Sequence, residues 1–299
     1  MPDDVEMING PGHAEHVAWI RERLARGGYG SRTRTLAEIN ERLASAGTTL
    51  ERAIEQQLRG GRPIAVLEIG FGWGPVLIEL AWRFRGEPAS FAGINLERKR
   101  PVRCADDLAA VAEALDLVPA ERIAEFRAPE VHFYDATTLH FPNESLDLVY
   151  SAVSLRFVED KVRVIEEVAR VLRPGGRAIL DLGEAGWEYP AGPATDARHL
   201  TDRPSYLVLH HGCQLVPLRD WFAFAGGERF TILLPPGRRC VMDLTKHAHG
   251  PLDAGLMLDK ARTMLMRDVP ARPGDKPLNG VVRSVYEIAP ARMTAFAQR

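Results

Sequence analysis

Cysteine is scarce in this chain. The three present, Cys104, Cys213 and Cys240, stand at wide, irregular spacing. That pattern argues against a disulfide framework or a cysteine-rich zinc site, and free thiols suit a reducing compartment. No apolar run approaches the roughly 20 residues that a bilayer-spanning helix needs. The opening Met1-Pro2-Asp3-Asp4 lacks a basic-then-apolar leader pattern. The expectation is a cytoplasmic protein without a membrane partner. An excess of one charge is also missing: 38 basic and 40 acidic residues leave a formal net charge of -2. A chain built to coat nucleic acid carries a basic surplus, so a nucleic-acid partner is disfavoured. Internal repeats and low-complexity tracts are absent. His13 and His16 share a helical face, and His247 and His249 stand two apart, but neither pair has an evident third ligand; no metal is expected.

What the sequence does have is alternation. Its 299 residues, 45% hydrophobic, suffice for one large α/β domain with additions. Residues 13 to 59 read as helices. The first carries Val17, Ile20 and Leu24 and stops at Gly27-Gly28. The second spans Thr35 to Ala46. The third opens with the capping-box pattern Thr48 and Glu51. From Pro63 the texture changes. Strands are expected at Ile64 to Ile69, Ser90 to Asn95, Val131 to Tyr134, Leu146 to Val153 and Arg177 to Leu182. Helices are expected at Pro75 to Phe84, Pro101 to Leu115 and Asp160 to Leu172. Strands alternating with helices imply a doubly wound, mostly parallel sheet. Beyond Gly183 the alternation lapses. Strands recur at Phe230 to Leu234, Arg239 to Leu244 and Val281 to Ile288, and Pro270 to Pro277 reads as a loop.

The first strand runs directly into Glu68-Ile69-Gly70-Phe71-Gly72-Trp73-Gly74. Parallel sheets bind ligands at the carboxyl ends of their strands. Glycine accepts backbone angles that a side chain resists and lets a ligand approach the main chain. The helix that follows presents amides that favour negative charge. Alone, the pattern is equally a tight turn or a nicotinamide-dinucleotide loop, but the latter prefers Gly-x-Gly-x-x-Gly, and here the third glycine comes one residue early. Three further segments decide the matter. The second strand ends Gly93-Ile94-Asn95-Leu96-Glu97. The third ends Tyr134-Asp135-Ala136-Thr137 and is followed by Leu139-His140-Phe141-Pro142. Glu144 to Ser151 leads to a helix that stops at Arg170-Val171-Leu172-Arg173-Pro174-Gly175-Gly176.

Over Pro63 to Leu182 these ordered motifs resemble the class I S-adenosylmethionine-dependent methyltransferases. The resemblance implies an α/β fold with a doubly wound, mostly parallel, seven-stranded Rossmann-like sheet. It implies an N-terminal helical lid (1–61), a cofactor-binding core (62–183), and α+β additions with the last strands of the sheet (184–299). It also implies S-adenosyl-L-methionine as cofactor. Glu68, Gly70, Gly72 and Gly74 would address the methionine part, Asn95 the ribose, and Leu96 the adenine face. Asp135 and Ala136 would address the adenine edge, and Ser151 would lie beside the methyl. The family often has Asp or Glu where Asn95 stands. An amide accepts one hydrogen bond and donates another but lacks a carboxylate's charge. Glu97 is a substitute for it, and capping of the next helix is the other role open to Asn95. Phe71 and Trp73 are bulky for such a loop, and packing is expected for at least one of them.

The acceptor side is less defined. Arg156 cannot act as a base, because it stays charged; it either clamps an anionic group of the substrate or pairs with Glu159 or Asp160. Glu184, directly after the fifth strand, and His211, of the pair His210-His211, are the base candidates. Tyr29, in the Gly-rich loop after the first helix, is the lid residue placed to reach substrate. The implied activity is methylation of a small molecule, such as a natural-product intermediate, on oxygen, nitrogen or carbon. The arginines between Arg21 and Arg34 leave a peptide or RNA acceptor as one alternative. Asn95 and Arg156 leave a non-catalytic binding module as another. The additional strands allow a homo-oligomer.

Overall fold

A computed structural model describes residues 12–27, 33–98, 100–158, 161–186, 195–196, 206–209, 214–217, 229–233, 239–252, 262–268 and 284–288. The chain divides into two compact units. One comprises Met1–Arg42 with Leu50–Asp135, the other Leu43–Thr49 with Ala136–Arg299.

In the first unit, helices α1 (His13–Arg26), α2 (Leu36–Arg42) and α3 (Leu50–Leu58) precede strand β1 (Ile64–Ile69). Helix α4 (Pro75–Arg83), β2 (Ala89–Asn95), α5 (Asp107–Ala114) and β3 (Glu130–Phe133) follow. The three strands are parallel. β1 pairs with β2 from Ile64 opposite Ala89 to Ile69 opposite Ile94, and β2 pairs with β3 from Ala92 opposite Glu130 to Asn95 opposite Phe133. Ile64, Val66, Leu67 and Ile69 are all buried, as expected of a parallel strand covered on both faces. Pro75 opens α4, where its missing N–H costs nothing.

Two local expectations are corrected. The reciprocal capping box forms at Thr35 and Glu38, not at Thr48 and Glu51. The Thr35 N–H donates to Glu38 Oε2 at 2.8 Å, and the Glu38 N–H donates to Thr35 Oγ1 at 3.2 Å. Glu51 is instead engaged by Asn40 Nδ2, and Asn40 Oδ1 accepts the first amide of α3 at 2.9 Å. The helix expected over Pro101 to Leu115 is confined to α5. Residues 101–106 turn instead, and the Asp107 carboxylate accepts the Arg103 backbone N–H at 2.8 Å.

In the second unit, β4 (Leu146–Ser151) is buried along its whole length. Helix α6 (Lys161–Val171) buries Val164, Ile165 and Val168 and leads into β5 (Leu172–Gly186). Five short strands follow: β6 (Thr195–Asp196), β7 (Tyr206–Leu209), β8 (Gln214–Pro217), β9 (Phe230–Leu233) and β10 (Arg239–Lys246). Then come β11 (Arg262–Asp268) and β12 (Ser284–Ile288). β4 and β5 are parallel, whereas β10 runs antiparallel to both β5 and β9. Seven strands, β1 to β3 in the first unit and β4, β5, β9 and β10 in the second, thus follow the mostly parallel Rossmann-like pattern with an antiparallel end.

β5 begins earlier than expected: it takes in Pro174-Gly175-Gly176, across which the pairing with β4 is irregular. Leu146 opposes Leu172, but Leu148 opposes Arg177. Gly175 takes φ +85, and a Cβ on Gly176 would sit 2.8 Å from the Arg173 carbonyl oxygen.

Candidate functional site

The carboxyl end of β1 delivers the glycine loop. Gly70, Gly72 and Gly74 have φ of 75°, 61° and 85°, the left-handed region that costs other L-residues roughly 1–2 kcal/mol each. The loop is anchored step by step to the end of β2. The Gly70 N–H donates to the Ile94 carbonyl at 2.7 Å. Asn95 then closes on Gly72: Oδ1 accepts the Gly72 N–H and Nδ2 donates to the Gly72 carbonyl, both at 3.0 Å. The Gly74 N–H returns to the Phe71 carbonyl at 2.8 Å.

Phe71 is a packing residue. It is buried and lies edge-on to Phe133 at 6.3 Å between ring centroids. The space it fills exists because β2 has glycine at 93; a Cβ there would come within 2.6 Å of the Phe71 ring. Sequence reasoning passed over Gly93, although a glycine inside a strand is a signal of close approach. Trp73 is half-buried.

Around the loop, Glu68 is buried at the end of β1, with 6% exposure. Leu96 is 66% exposed directly after β2. Glu97 is exposed as well, as is Asp135 two residues beyond β3. The first unit therefore brings together Glu68, the three glycines, Asn95 and Leu96 on two adjacent strand ends, with Asp135 on the third strand's exit. In the second unit, Ala136 is buried. Ser151 is fully buried, and its hydroxyl bonds that of Ser154 at 2.9 Å.

Arg156 lies in the turn Ser154–Phe157 and Glu184 lies in β5 opposite Arg239, but their side chains fall outside the described set. Tyr29 and His211 lie outside the described residues altogether, as does the loop at 270–277. Among the described residues, no three His, Cys, Asp or Glu side chains gather as metal ligands. No helix among them is long and apolar enough to cross a membrane.

A second arrangement that the sequence did not disclose docks α1 onto the segment leaving β2. His16 is buried, and its Nε2–H donates to the Pro101 carbonyl at 2.8 Å. Arg103 donates to His16 Nδ1 at 3.4 Å and forks onto Asp107 at 3.0 Å through both Nε and a terminal nitrogen. Burial lowers the His16 pKa, outweighing the pull of Asp107. Burial alone would raise the Asp107 carboxyl, but the Arg103 side-chain and backbone hydrogen bonds override it and hold it below the ordinary range.

The sequence profile of the family described as "Methyltransferase domain" matches residues 67–180. The chain is 33% identical over 159 residues to 27-O-demethylrifamycin SV methyltransferase of Amycolatopsis mediterranei (strain S699), covering 53% of this chain and 50% of that protein. It is 31% identical over 143 residues to methyltransferase GfsG of Streptomyces halstedii, covering 47% and 45%. Among solved structures it is similar to a SAM-dependent methyltransferase from Aquifex aeolicus. There the TM-score is 0.41 at 12% identity, covering 72% of this chain and 100% of that one. The chain spans about half the length of the curated relatives it matches.

Proposed function

We propose that this chain, which through residues 67–180 belongs to the class I S-adenosylmethionine-dependent methyltransferases, methylates a small molecule. The reading narrows to a natural-product intermediate methylated on oxygen, nitrogen or carbon. The likeness to the Amycolatopsis 27-O-demethylrifamycin SV methyltransferase favours oxygen. The observation that carries the proposal is the glycine loop between β1 and α4, at a parallel strand's carboxyl end and inside the matched segment.

The residues of the loop region fit S-adenosylmethionine. A Cβ built on Gly72 meets no atom within 4 Å, so the main chain there faces open space. Gly70, Gly72 and Gly74 would let the methionine part approach the backbone. Glu68 would accept hydrogen bonds from its amino group, directly or through water. Leu96 offers an apolar platform for a base, and Asp135 a carboxylate for the adenine amino group, with Ala136 beside it. When bound, the cofactor supplies an electrophilic methyl on sulfonium. The chain's own work is to hold an acceptor in line with that methyl and, for a hydroxyl or carbon acid, to take its proton. Glu184 and His211 are assigned the proton-accepting role, Tyr29 and Arg156 contact with substrate, Ser151 a place beside the methyl, and the N-terminal helices the lid. Among the described residues at the start of the chain, Arg26 pairs with Glu22 and Arg21 donates to the Glu113 carbonyl, which lessens the local basic excess an RNA or peptide acceptor would use.

The test is a turnover assay with S-adenosylmethionine and a panel of hydroxyl-bearing, amine-bearing and carbon-acid small molecules. Release of S-adenosylhomocysteine with a product heavier by one CH2 is the expected result. Turnover on RNA or peptide alone would overturn the small-molecule assignment.

A further inference from the structure

Asn95 stands where the family often carries a carboxylate, and its geometry gives the amide a purpose of its own. The β1–β2 ladder ends at Ile69 opposite Ile94. Beyond that point the loop bends away, yet the pairing continues: the Gly70 N–H still reaches the Ile94 carbonyl at 2.7 Å. The next rung is made by a side chain. The Asn95 amide offers one acceptor and one donor on a single edge, and both close on the Gly72 peptide, N–H and carbonyl, at 3.0 Å each. The amide thus copies the donor and acceptor of a neighbouring strand's peptide. Meanwhile the Asn95 backbone carbonyl accepts the Tyr134 N–H at 3.0 Å, which fixes the residue from β3's side.

A carboxylate cannot do this. It has no donor when ionised, so its second oxygen would face the Gly72 carbonyl oxygen across the gap the amide now spans. Oδ1 and Nδ2 each spend one of their two hydrogen-bonding positions on Gly72, and that pair of bonds fixes the orientation of the side chain. We infer that Asn95 is a positioning residue: it presets Gly72 in its left-handed conformation before any cofactor arrives, and its contribution to cofactor affinity runs through the loop. The part concerning affinity rests on the proposed cofactor; the brace itself does not.

The experiment measures hydrogen exchange at the Gly72 amide by NMR in the ligand-free full chain, together with calorimetric binding of S-adenosylhomocysteine. Wild type, N95A and N95D are compared. Loss of the acceptor should cut the Gly72 protection factor about tenfold in N95A at every pH. In N95D a carboxylate oxygen still accepts the Gly72 N–H, so its protection should be kept, while the Gly72 carbonyl loses its donor. The carbonyl carbon shift of Gly72 should therefore move at neutral pH and return toward the wild-type value as the pH is lowered and the carboxyl protonates, because the acid form regains a donor. A merely structural residue does not produce that pH signature. S-adenosylhomocysteine should bind N95D about tenfold more weakly than wild type at neutral pH. Unchanged Gly72 protection in N95A overturns the brace. Tighter binding to N95D, the result for a ribose acceptor gaining charge, overturns the inference that Asn95 acts on affinity through the loop. If wild type binds no S-adenosylhomocysteine while Gly72 exchange responds as described, the brace stands and the cofactor assignment falls.

Discussion

His16 of α1 donates to the carbonyl of Pro101 at 2.8 Å, and this buried bond ties the first helix to the chain leaving β2. Burial favours the neutral imidazole, and its other nitrogen faces the Arg103 guanidinium, which only donates. Trp19 packs against the ring at 6.2 Å, and Arg100 lies over Trp19 at 5.2 Å. Asp107, 3.8 Å from Nδ1, and the Pro101 carbonyl favour the charged ring; burial, Arg103 and Arg100 oppose it.

A pH dependence follows. The folded-state pKa of His16 lies below its ordinary value of about 6.5. The unfolded chain therefore binds more protons between those two values, and stability falls as the pH drops through that window. Above about 6.5 the residue adds no slope. Melting temperature measured from pH 7.5 to 5 should decline in wild type, and H16Q should flatten that part of the curve. An identical slope in H16Q would show that His16 is not its source.

Gly93 sets the packing beneath the loop. A Cβ at this position would meet the Phe71 ring at 2.6 Å and Leu77 at 2.8 Å. G93A should cost about 1–3 kcal/mol in urea unfolding, the range for overpacked cores. F71L in the G93A background should recover part of that loss, since the two residues share one space and their effects do not add. Simple additivity in the double mutant would deny the contact.

The difference between what was and was not legible in the sequence has a physical basis. Ile64 to Ile69 announced itself through an unbroken apolar run, and Gly70, Gly72 and Gly74 through residue type; both signals are local. The two capping patterns, Thr35 with Glu38 and Thr48 with Glu51, are indistinguishable as strings. Only the first forms, because Asn40 and Arg83 engage Glu51 from elsewhere in the fold. The partnership of Asn95 with Gly72 was hidden for the same reason: an amide's partner depends on strand register, and the residue alone suggests ribose or a helix cap. Residues 101–106 have helical composition, but Arg103 turns back onto Asp107 instead.

Arg170 links two motifs that are far apart in sequence. It donates to the carbonyls of Leu139 and Phe141 at 2.7 and 3.0 Å and to Asn143 Oδ1 at 2.7 Å, while pairing with Glu167. Glu167 in turn accepts the Leu139 N–H at 2.8 Å. Burial would raise this carboxyl, but Arg170 and the Leu139 amide hold it below the usual range. Its stabilising contribution is therefore present at neutral pH and is lost as pH falls through that lowered value.

R170A should destabilise the chain by about 1–3 kcal/mol, because it frees the Leu139 and Phe141 carbonyls and leaves the buried Glu167 carboxylate to the Leu139 amide and the longer contact with Arg163 at 3.3 Å. R170K should restore less than half, since an ammonium cannot fork onto several acceptors. Chemical unfolding at neutral pH measures both. Equal stability of R170K and wild type would reduce the network to simple charge pairing.

The most direct test of the cofactor assignment is calorimetric titration of S-adenosylhomocysteine into wild type and G72V. A side chain at Gly72 enters open space on the protein side, so its cost to the fold is mainly backbone strain. It would, however, stand where the proposed site has the methionine part approach the main chain. The account predicts one-to-one binding to wild type, and affinity at least about tenfold lower in a variant that remains folded by circular dichroism. Absence of binding to wild type, or equal affinity in folded G72V, would contradict it.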